Sequence, residues 1–94
     1  MDEIKLARER ERGFQAQTLI DSPLLNEIFE TLETKYIEAW KNTDASQVDV
    51  RENFWRARLI LADVQQHLKI AAAIGRLADK ELEALAFRLR PRAL

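Results

Sequence analysis

The chain has 94 residues, with 15 lysines and arginines against 16 aspartates and glutamates, for a formal charge of −1. That length holds one domain with a modest core, and the balanced charge excludes a whole-molecule field drawing it toward nucleic acid or an anionic membrane. The absence of cysteine excludes a disulfide framework and thiolate metal sites.

The first segment, about Glu3 to Ile20, is helix-prone but weakly amphipathic. Its centre, Arg8-Glu9-Arg10-Glu11-Arg12, is all charge, Gly13 is a weak point, and the apolar residues Phe14, Leu19 and Ile20 gather at its end. The expectation for residues 1–21 is a solvated helical arm whose last turn docks on the rest of the chain. The first five residues turn acidic and then charged, unlike a signal peptide. No apolar run reaches the roughly 20 residues that cross a bilayer. A cytoplasmic protein without membrane contact is expected.

Between Pro23 and Gly75 there is neither glycine nor proline, the two strongest punctuators of backbone structure. Ser22 is placed to cap a helix, and Pro23 to occupy its first position, where a missing N–H costs nothing. Leu25, Ile28/Phe29, Leu32, Tyr36, Ala39 and Trp40 then recur at three- and four-residue steps, which puts them on one face of a helix over about 23–42. After the polar stretch Asn42–Gln47, Asp49 and Glu52 have the spacing of a capping box, opening a second helix over about 50–74. Its seam is Phe54, Ala57, Leu61, Val64, Leu68 and Ala71, of heptad type. A second stripe, Trp55, Leu59, Ala62, Ile70 and Ile74, runs beside it, with Gln66 interrupting. Together the stripes exceed what one antiparallel partner covers, so the second stripe is the candidate oligomer interface.

Gly75 is expected to end or kink that helix. Residues 76–94 then form a short amphipathic helix through Leu77, Leu82, Leu85 and Leu89, followed by a basic tail. The fold predicted is all-α: an antiparallel helical hairpin over 22–75 with an N-terminal arm and a short C-terminal helix, completed into a bundle by oligomerisation.

Chemistry-bearing clusters are few. Asp63 and His67 share a helix face at i, i+4, but Val64 stands where a Glu-x-x-His metal motif needs its glutamate. The sole histidine, the isolated glycines and the absence of cysteine offer no nucleophilic triad or phosphate loop. No enzyme activity or cofactor is expected and no metal ligand is assigned; a metal-binding hairpin around Asp63 and His67 is kept as the last alternative. The charge is uneven: residues 22–42 carry a net −2 and residues 50–76 a net +3. Opposite signs favour pairing of the two hairpin helices. They also raise a second reading, in which Arg51, Arg58, Arg76, Arg88, Arg90 and Arg92 touch a nucleic-acid backbone through salt-sensitive phosphate contacts.

The stretches Asp21-Ser22-Pro23-Leu24-Leu25-Asn26-Glu27-Ile28-Phe29, Tyr36-Ile37-Glu38-Ala39-Trp40, Arg51-Glu52-Asn53-Phe54-Trp55 and Gly75-Arg76-Leu77-Ala78 carry a resemblance. Over residues 14–78 the chain resembles small all-helical proteins from the packaging and head gene clusters of tailed phages and prophages. The resemblance implies a genomic setting more than an activity, and adds other phage assembly proteins to the second copy of the chain that the surplus stripe already suggests as partner. A small-terminase-like packaging accessory is the DNA-binding version, although the chain has no helix-turn-helix ahead of its hairpin.

Overall fold

A computed structural model describes residues 2–90 as three α-helices: α1, Glu3–Ile20; α2, Pro23–Lys41; and α3, Val48–Arg88. The expectation of an all-α hairpin protein is met. The helices form two compact units, one of residues 1–19 with 68–94 and the other of residues 20–67, so α3 contributes a part to each.

In the unit of residues 20–67, α2 and the first part of α3 make an antiparallel hairpin. Ser22 caps α2 as expected, its hydroxyl accepting from the Leu25 N–H at 3.2 Å. At the other end the Asn42 N–H donates to Glu38 O and the Thr43 N–H to Trp40 O, which closes the last turn. Leu25, Phe29, Leu32, Tyr36, Ala39 and Trp40 are half-buried along the seam, whereas Ile28 is turned out to solvent.

The start of α3 differs from the predicted capping box. A turn closed by Gln47 N–H on Asp44 O precedes it, and Gln47 O accepts from the Arg51 N–H. The helix therefore begins at Val48, Asp49 sits within its first turn beside the positive end of the macrodipole, and Glu52 pairs forward with Arg56 at 3.3 Å. The seam also drifts. Phe54, Leu61 and Leu68 are half-buried as predicted, but Gln65 is half-buried while Val64 is exposed.

The unit of residues 1–19 and 68–94 holds the larger departures. Asp2 caps α1, accepting from the Ile4 and Lys5 N–H groups at 3.0 and 3.2 Å. The arm is not docked by its last turn alone: Leu6, Gly13 and Ala16 are buried, while Phe14 and Leu19 are exposed. Gly75 neither ends nor kinks α3, which runs through it to Arg88 in one helix. The physical reason for both is one contact. A Cβ on Gly13 would lie 2.5 Å from the Cα of Gly75, and the reverse placement is equally tight. The two glycines let the backbones of α1 and α3 meet, with the buried Ala16, Ala72 and Ala78 beside them. Arg10–Asp79 at 3.8 Å and Arg76–Gln17 at 3.3 Å flank the crossing.

Candidate functional site

Very little of this chain's apolar surface is inside it. Among the described residues, the buried hydrophobic side chains are Leu6, Ala16, Ala72 and Ala78, so Leu6 alone is large.

On α3, Val48, Trp55, Leu59, Ala62 and Gln66 fall within an arc of about 60°, roughly 100° round the helix from the Phe54–Leu61 seam. All five are exposed; Trp55 is 46 % and Leu59 53 % accessible. Ile60 and Val64 are exposed on the opposite flank of the same seam. The further stripe residues Ile70 and Ile74 belong to the other unit and are also exposed. Every residue of the sequence-predicted interface thus lies at the surface.

The loop end of the hairpin is a stacked ladder. The Trp40 and Trp55 rings lie 6.2 Å apart and are inclined at 46°. The Arg51 guanidinium sits 4.7 Å from the Trp40 ring centroid, and that of Arg58 sits 5.0 Å from Trp55. Arg51 also donates to both the carbonyl and the hydroxyl of Thr43, and Arg58 faces Glu33 at 3.6 Å. A groove of about 460 Å³ opens beside the ladder, lined by Val48, Arg51, Trp55 and Leu59 among others. In the sequence Trp40 and Trp55 stand on either side of the polar stretch 42–47. The arginines packed over them are not legible there, because cation–π partners have no fixed sequence spacing.

This geometry bears on the six arginines proposed for nucleic acid. Arg51, Arg58 and Arg76 have partners within the chain, Arg88 and Arg90 are exposed, and Arg92 lies outside the described residues. Arg51 and Arg58 belong to the hairpin unit, and Arg76, Arg88 and Arg90 to the other. For the metal reading, His67 Nδ1 lies 2.9 Å from its neighbour's backbone, Asp63 O, and 3.6 Å from the Asp63 carboxylate. Among the described residues no third carboxylate or histidine joins them as a ligand group. Nor is any described helix long and apolar enough to cross a membrane.

No family model matches the sequence, and neither the curated proteins nor the solved structures provide a match.

Proposed function

We propose that this is a non-enzymatic structural or assembly protein that self-associates through helix–helix contacts, in the cytoplasmic phage or prophage assembly setting implied by its resemblance. The observation that carries the reading is the exposed second stripe of α3: Trp55, Leu59, Ala62, Ile70 and Ile74 all lie at the surface, while Leu6 is the only large side chain fully buried among the described residues. Isolated helical hairpins expose the faces that bundles bury, and a contiguous apolar surface beyond a few hundred Å² marks an interaction site. Size-exclusion chromatography with light scattering tests it. The expected mass is a multiple of 10.9 kDa, and a strictly monomeric chain would count against it.

A nucleic-acid role is the second reading, favoured by the exposure of Arg88 and Arg90 near the C-terminal end of α3. It requires a mobility shift with duplex DNA that weakens steeply as salt rises. Loss of that shift on Arg88→Ala/Arg90→Ala would assign it to those residues. No shift at low salt removes it.

A further inference from the structure

The hairpin stripe on α3 carries its own complement, and we infer that it pairs with the same stripe of a second copy, antiparallel, about a two-fold axis passing between Leu59 and Ala62. This rests on the self-association proposed above and adds the face, the direction and the register. Three observations lead to it. The stripe is exposed and steps from large to small, Trp55 and Leu59 preceding Ala62. In this register Leu59 seats on Ala62 of the second copy, a large side chain over a small one, as packed helix layers require.

The second observation is the polar interruption. Gln66 is exposed at the C-terminal end of the hairpin stripe, and in the antiparallel register it falls opposite Trp55 of the second copy. Indole Nε1–H is a donor only, and a glutamine side chain offers a carbonyl acceptor. A polar residue at one seam position fixes register at some expense of stability.

The third is charge. Arg56 and Asp63 stand seven residues apart on the same edge of the stripe, one heptad, and each has only an exposed i, i+4 partner within its own chain, Glu52 and His67 respectively. An antiparallel two-fold puts equivalent edge positions together; in this register Arg56 lies level with position 65 of the second copy, about 3 Å of helix rise from its Asp63, a step the long arginine side chain spans, and Asp63 meets the other Arg56 in the same way. The edge is thus self-complementary, the property an isologous interface demands and a contact with an unrelated partner does not. A second copy is therefore the occupant that this edge fits.

A charge-swap cycle on the intact chain tests it by concentration-dependent light scattering, with circular dichroism reporting helix content. Arg56→Asp and Asp63→Arg should each weaken the dimer by about tenfold, and the two together should restore it. Leu59→Lys should give the monomer with helix content unchanged. A double variant no tighter than the singles would overturn the register, and an unaffected Leu59→Lys dimer would overturn the face. If Ile60→Lys or Val64→Lys dissociates the assembly while Leu59→Lys does not, self-association stands and this inference fails. A monomeric parent chain defeats both.

Discussion

Gly13 and Gly75 are each about 1 kcal/mol worse than alanine in a helix interior, yet both sit in unbroken helices where their backbones meet. Gly75→Ala should therefore lower the melting temperature, because overpacking at a backbone contact costs about 1–3 kcal/mol and outweighs the propensity gain. A rise on thermal denaturation would mean that the crossing is looser than 2.5 Å implies. Arg51 makes the opposite kind of contact. It combines two hydrogen bonds to Thr43 with a face-on approach to Trp40. Arg51→Ala should lose about 1–2 kcal/mol in urea unfolding, and Arg51→Lys should recover only part, since an ammonium lacks the planar fork. Full recovery with lysine would reduce the residue to a point charge. Ser22→Ala, removing the α2 cap, should cost about 1 kcal/mol by the same measurement.

At the scale of elements, α2 was the most legible, because cap, proline and periodicity all agree on one helix. The run without glycine or proline likewise announced the first part of α3. Its end was misread because glycine has two roles in a helix: past the last turn it supplies left-handed backbone, and inside it permits close approach. Sequence spacing does not separate them; here no residue described has a positive φ, Gly75 included. The docking of α1 was hidden for a related reason, since its buried contacts come from Leu6, Gly13 and Ala16 rather than a hydrophobic stripe. Continuity of α3 predicts that amides from Ala72 to Ala78 exchange slowly as a contiguous block. Fast exchange at Gly75 and its neighbours would place a helix break there.

For the whole molecule, the balance of surfaces was legible before the fold: helix periodicity showed two apolar stripes on one helix and one on its partner. What periodicity did not reveal was how shallow the intramolecular contacts are. Burial depends on the distance between helices and on side-chain size, and the crossing with α1 is lined by glycine and alanine. Within the hairpin, Trp55 and Leu59 stay near half-exposed, so burying them against a second chain adds hydrophobic stabilisation that one chain alone lacks. The account therefore predicts that folding and association are linked, with thermal stability rising as protein concentration rises. The most direct test is the mass of the full chain in solution across a dilution series. Twice 10.9 kDa or a higher multiple, falling toward the monomer on dilution, is the result expected; a stably folded species that holds 10.9 kDa at the highest concentration reached would contradict it.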